Sequence, residues 1–165
     1  MVAFKAKKIA YTASLAALAF VGGSLFHVSI GVVRVAPMQH LINLLTGVAL
    51  GPWYGVSQAF IASVLRNISG TGTLLAFPGS MIGAFLIGIV YRRTSKLMMA
   101  GLVEIIGTGL IGGCVSYLLA RYVLGIGLPL GLVLGSFFIS TLVGVTMGYP
   151  LVKILRKRLP NLFGE

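Results

Sequence analysis

The sequence predicts an all-α integral membrane protein, a single bundle of about six short transmembrane helices with no soluble domain. Three observations predict it. Of 165 residues, 58% are hydrophobic and only 9% are charged, and the mean hydropathy is +1.04. A water-soluble domain carries about a quarter charged residues. The apolar runs are also continuous, as in Leu97-Met98-Met99-Ala100-Gly101-Leu102-Val103, whereas strands of a membrane barrel alternate apolar and polar residues. In a bilayer every backbone polar group must be satisfied within the segment or a closed barrel, so the continuous runs read as helices. Finally, the cations stand at the ends of the runs, where they orient helices and meet anionic headgroups.

The spans are expected over residues 9–29, 37–50, 53–68, 77–91, 97–124 and 130–155. The first follows Lys5, Lys7 and Lys8, a pattern shared with signal peptides, and Ala17-Leu18-Ala19 has the form of a cleavage site. The rest of the chain is equally apolar and the helix count needs the segment, so it is read as a retained span. Pro37 suits a helix start. Gly51-Pro52 marks a tight turn, and Gly125, Gly127 and Pro129 break the chain before the last span. Pro150 is a possible kink site. The second and third spans fall short of the ~20 residues a full crossing needs.

Charge sets the expected orientation. With both termini cytoplasmic, Lys5, Lys7, Lys8, Arg92, Arg93, Lys96, Lys153, Arg156, Lys157 and Arg158 lie inside, and only Arg34, Arg66 and Arg121 lie outside. That is the positive-inside bias of an even number of spans. It also accounts for the net charge of +11 without nucleic acid as a partner.

The chain has no aspartate, and its two acids are Glu104 and Glu165. Paired carboxylates for acid–base catalysis are missing, as are acidic clusters for hard cations. No glycine-rich stretch is followed by Lys-Ser or Lys-Thr, so no ATP site of that type is present. No metal or cofactor is expected. The lone Cys114 lies in an apolar run and reads as a small packed residue.

Glu104 is the acid within a span, in the cytoplasmic third of the fifth. It is either functional or a hydrogen-bonded tie between helices. Gln39, His40 and Asn43 share one turn at the outer end of the second span, as an interfacial cluster or as a ligand lining. Residues 65–73 hold Arg66, Asn67, Thr71, Gly72 and Thr73 and lead into Phe77 and Ser80. That density of polar groups beside an aromatic ring favours a binding loop over an ordinary turn. Small residues at spacing four, including Gly51/Gly55, Gly79/Gly83, Gly109/Gly113 and Gly127/Gly131/Gly135, suit close helix packing. On the first span Ala6, Ala10, Ala13, Ser14 and Ala17 form a flat stripe, for packing inside the bundle or for docking another membrane protein.

The blocks Gln39-His40-Leu41-Ile42-Asn43, Leu50-Gly51-Pro52, Leu65-Arg66-Asn67 and Gly70-Thr71-Gly72-Thr73-Leu74-Leu75-Ala76-Phe77-Pro78-Gly79-Ser80 resemble the ThiW family. With the alanine stripe, the whole is similar to the substrate-capture (S) subunits of energy-coupling factor (ECF) vitamin transporters. The resemblance implies a prokaryotic plasma-membrane protein that binds a thiamin precursor from outside, with hydroxyethylthiazole as the expected cargo and thiamin or another small vitamin as the alternative. It implies a transmembrane coupling subunit and two cytoplasmic ATPases as partners, met through Ala6, Ala10, Ala13, Ser14 and Ala17. The implied cargo-contacting set is Gln39, His40, Asn43, Arg66, Asn67, Thr71, Gly72, Thr73, Phe77, Ser80, Glu104, Tyr117 and Ser140. Two rival readings stay open at this point. A small membrane enzyme would have to work with His40, Cys114 and Glu104, which lie on different spans. An oligomeric channel would conduct without ATPases.

Overall fold

Six principal helices follow one another in the computed structural model, which describes residues 2–163. They are α1 (Val2–Leu25), α2 (Pro37–Ala49), α3 (Pro52–Ile68) and α4 (Ala76–Thr94), then α5 (Leu97–Val123) and α6 (Leu130–Arg158). A last turn, α7 (Pro160–Phe163), follows α6. The boundaries fall within a few residues of those expected, except at the first span. There α1 stops at Leu25, and Val28–Ile30 (β1) pairs antiparallel with Val33–Val35 (β2), with Val28 opposite Val35 and Ile30 opposite Val33. The fold is all-helical as expected, with this short hairpin as an addition between the first two helices. β-branched residues on both sides of Gly31, which turns at φ 60, favour a strand pair over more helix. Hydropathy alone runs straight across it.

Among the described residues three helices are long and apolar enough to cross a membrane: Lys5–Leu25, Leu97–Val123 and Leu130–Arg158. The 13 residues of α2 span roughly 20 Å, against ~30 Å of hydrocarbon. Burial explains how so short a helix is tolerated. Every residue of α2 from Gln39 to Ala49 is buried, because α1, α3, α4 and α6 all pack on it. A helix wrapped in protein need not match the bilayer. Pro37 and Pro52 open α2 and α3 in the first turn, where a missing N–H costs nothing. Between them Gly51 has φ 98, with its Cα facing the Arg92 guanidinium, and that backbone conformation favours glycine in the α2–α3 turn.

α5 is wound unevenly. Residues 97–104 and 113–118 are α-helical, whereas Ile105–Gly112 and Leu119–Val123 are π-helical, with i→i+5 hydrogen bonds and a wider turn. In a pure α-helix a row of every fourth residue drifts roughly 40° per step around the axis. Wider π turns drift the other way, and mixing the two keeps the row straight. The row here is Ala100, Glu104, Thr108, Gly112, Ser116 and Ala120, every one buried. It faces α4 at Gly79 and Gly83, with Gly112 set against Gly79, and Thr108 and Glu104 set against Gly83.

The glycine expectation divides. Gly55 lets α3 reach the Ala84 carbonyl of α4, where an added Cβ would stand 3.1 Å away, and an added Cβ on Gly109 would stand 3.2 Å from Thr141 Oγ1. Gly127, Gly131 and Gly135, by contrast, have no neighbour within 4 Å of an added Cβ. That triplet packs no helix inside the bundle: Gly127 lies in the break before α6, and Gly131 and Gly135 lie in its first two turns facing away from the other helices. The stripe of Ala6, Ala10, Ala13, Ser14 and Ala17 is exposed throughout, and α1 packs inward instead through Thr12, Ala16 and Ala19. Packing of the stripe within the bundle is therefore set aside.

Candidate functional site

One end of the bundle carries the β-hairpin and the loop joining α3 to α4. Below them lies a pocket lined by Val33, Arg34, Ala36, Gln39, His40, Arg66, Thr73, Ala76, Ser80, Phe137 and Ser140. Its depth follows from where α2 begins. A Cβ on Gly144, midway along α6, would meet the Pro37 carbonyl and His40 Cβ. The hairpin occupies the outer layer, so the first turn of α2 starts halfway down its neighbour. Gln39, His40 and Asn43 are consequently 2%, 7% and 0% exposed. The reading of these three as an interfacial cluster is corrected on that ground.

Their hydrogen bonds form one connected set. Gln39 Nε2 donates to Ser80 Oγ at 2.9 Å and to Ser63 Oγ at 3.2 Å, and its Oε1 accepts from Arg66 Nη1 at 2.6 Å. Asn43 Nδ2 donates to Ser80 Oγ at 3.0 Å and lies 3.4 Å from Glu104 Oε1. His40 Nδ1 lies 2.9 Å from the same Oε1. Thr108 Oγ1 donates to Glu104 Oε2 at 3.0 Å. Although Glu104 lies in the first third of α5, far from the hairpin, the deep start of α2 brings His40 to it, and the two make the floor under the pocket. Asn43 Oδ1 is buried without a partner, so the floor retains an unused acceptor.

Arginines tie down the roof. Arg34 Nη1 donates to the Gly70 carbonyl at 2.7 Å, and Arg66 Nη2 donates to the Thr71 carbonyl at 3.0 Å. Asn67 Nδ2 reaches the carbonyls of Ser63 at 2.8 Å and Thr73 at 3.2 Å, stapling the loop to α3. Thr71 Oγ1 joins Ser24 of α1 at 2.7 Å. Gly72 N–H donates to the Arg66 carbonyl at 2.7 Å, and a Cβ there would stand 2.9 Å from the Arg66 backbone. Asn67, Thr71 and Gly72 thus shape the loop, and Thr73 is the loop residue of the expected set that lines the pocket. Arg34→Ala is expected to free residues 69–73 while costing little global stability, within about 1 kcal/mol. Faster amide exchange at those residues, with an unchanged melting temperature, is the measurement that checks it.

Two expected residues point elsewhere. Phe77 packs edge-on against Phe60 of α3, with centroids 5.7 Å apart, on the outward side of the bundle. Tyr117 packs with the cluster around Val33, Leu75, Ala120, Val133 and Phe137 and accepts from Arg121 Nη1 at 3.2 Å. The aromatic wall is Phe137 of α6 instead. Ser140 lines the pocket as expected, and its Oγ accepts from Ala36 N–H at 2.9 Å. Sequence reasoning missed Val33, Arg34, Ala36, Ala76 and Phe137. Only Arg34, a cation placed against the charge bias, carried a signal.

A helical membrane bundle with a covered polar pocket defines a class, small-molecule transport proteins of the membrane. The chain matches the model of the family described as thiamine-precursor transporter protein (ThiW) over residues 9–158, and it belongs to that family. None of the curated proteins matches it.

Proposed function

We propose that this chain is the S subunit of an ECF importer. It has six membrane spans and both termini in the cytoplasm of a prokaryotic cell, and it captures a thiazole-type thiamin precursor, hydroxyethylthiazole or a derivative of it, from outside. The observation that carries the reading is the covered polar pocket. Its lining of amide, hydroxyl, imidazole, two guanidinium groups and one phenyl ring suits a small polar heterocycle. The space now left between those side chains is about 20 Å³, room for one water. Cargo the size of a thiazole therefore enters only when the hairpin and the 69–75 loop part. Gln39, His40, Ser80 and Ser140 make the polar contacts, Phe137 makes the apolar one, Glu104 holds His40, and Asn43 braces Glu104 and Ser80.

The exposed stripe on α1 supports a coupling subunit as partner. An alanine surface beside Lys5, Lys7 and Lys8 lets a second membrane helix approach closely. Energy then comes from two ATPases bound to that subunit, and the chain itself is not an enzyme. Co-expression with a coupling module tests this. The tagged wild-type chain should retain the coupling subunit and its ATPases through purification, and Ala10→Leu with Ala13→Leu should lose them while keeping cargo binding. Retention by the double variant, or no partner with wild type, contradicts the assignment.

A further inference from the structure

The guanidinium of Arg66 is a buried charge with no carboxylate in contact with it among the described residues. It is 2% exposed and lines the pocket. Its two terminal nitrogens donate to neutral acceptors, Gln39 Oε1 and the Thr71 carbonyl. Nε is buried and has no hydrogen-bond partner. Gly23 of α1 does not supply one. A Cβ built there would stand 3.3 Å from Arg66 Cδ, Nε and Cζ alike, a position over the flat face of the guanidinium, whereas Nε–H points out along its edge. The Glu104 carboxylate is held by His40, Asn43 and Thr108 and makes no contact with Arg66. A second guanidinium, Arg34, lines the same pocket.

Neutral acceptors satisfy hydrogen bonds but leave the charge uncompensated, and a buried uncompensated cation is costly. An oxyanion removes both defects. It accepts Nε–H through a charge-assisted bond along the guanidinium edge, and it neutralises the cation. We propose that the cargo carries an anionic group, a carboxylate or a phosphate on a small heteroaromatic ring, seated on the Nε edge of Arg66. Arg34 adds positive potential at the mouth, and the same charges disfavour a fixed cationic ring such as the thiazolium of thiamin. This specificity rests on the transport reading above.

Calorimetry on the full chain in lipid nanodiscs tests it with four probes: hydroxyethylthiazole, its phosphate ester, the thiazole-acetate in which a carboxylate replaces the alcohol carbon, and thiamin. At least one anion should bind about tenfold or more tighter than the alcohol, and the tighter anion identifies the group. Thiamin should bind more weakly than the alcohol. Arg66→Gln should reduce the anion's advantage to about twofold or less. The wild-type ranking decides the matter even where that variant fails to fold. Binding of the alcohol as tightly as both anions overturns the proposal and leaves the transport reading intact. So does an anion advantage that survives in a folded Arg66→Gln. Failure of every thiazole to bind overturns the transport reading itself.

Discussion

Glu104→Ala is expected to destabilise the fold by about 2–5 kcal/mol, because it strips buried donors of their acceptor and leaves a cavity. The side chain is 0% exposed, and three groups depend on it. His40 Nδ1 and Asn43 Nδ2 share Oε1, and Thr108 Oγ1 uses Oε2. Thr108 keeps the Gly79 carbonyl at 3.1 Å and Asn43 keeps Ser80, so most of the loss falls on His40. Glu104→Gln should cost less, about 1–3 kcal/mol, because the amide keeps the volume but turns an NH2 toward one of the donors. Unfolding in mixed micelles measures both. His40→Ala combined with Glu104→Ala should cost less than the two single variants together by at least about 1 kcal/mol. Additivity within a few tenths would show that the pair does not act as a unit.

Gly112→Ala is expected to be almost as damaging, and Gly131→Ala harmless. A Cβ on Gly112 would collide with the Cα of Gly79 in the facing helix, backbone against backbone, where no side chain can swing aside. Overpacking of this kind costs about 1–3 kcal/mol and sometimes more. Gly83→Ala should behave alike, since its Cβ would meet Thr108 and the Glu104 carboxylate, and it should disturb His40 as well. Gly131 has nothing within 4 Å of an added Cβ. Alanine there should be neutral or stabilise by up to about 1 kcal/mol through the unfolded chain. Thermal melting of the three variants side by side checks the contrast. Equal losses at Gly112 and Gly131 would contradict the α4–α5 packing.

Those glycines show what the sequence could and could not tell. Small residues at spacing four are visible for Gly79/Gly83 and for Gly127/Gly131/Gly135 alike, yet only the first pair faces another helix. The six helices were legible because Pro37, Pro52, Gly51 and the basic clusters punctuate the apolar runs. The hairpin was not, since Val28 to Val35 is as apolar as a span. Nor were the π turns of α5, although the row Glu104, Thr108, Gly112, Ser116, Ala120 recurs at intervals of four, longer than an α-helical turn. Without the hairpin's outer layer, α2 seemed to start at the membrane surface, which set His40 too high to meet Glu104. The pocket's amides and hydroxyls were legible as polar groups in apolar surroundings. Phe77 and Phe137 were not distinguishable, because the direction of a ring depends on helix rotation that composition does not reveal.

The most direct measurement of the central claim is a titration of purified wild-type chain in nanodiscs with thiazole ligands, alongside His40→Ala. The account predicts saturable one-to-one binding by wild type and a loss of about tenfold or more in affinity for His40→Ala, on the scale of a lost polar contact in a buried site. No binding of any thiazole by folded wild-type protein, or equal binding by the variant, would contradict it.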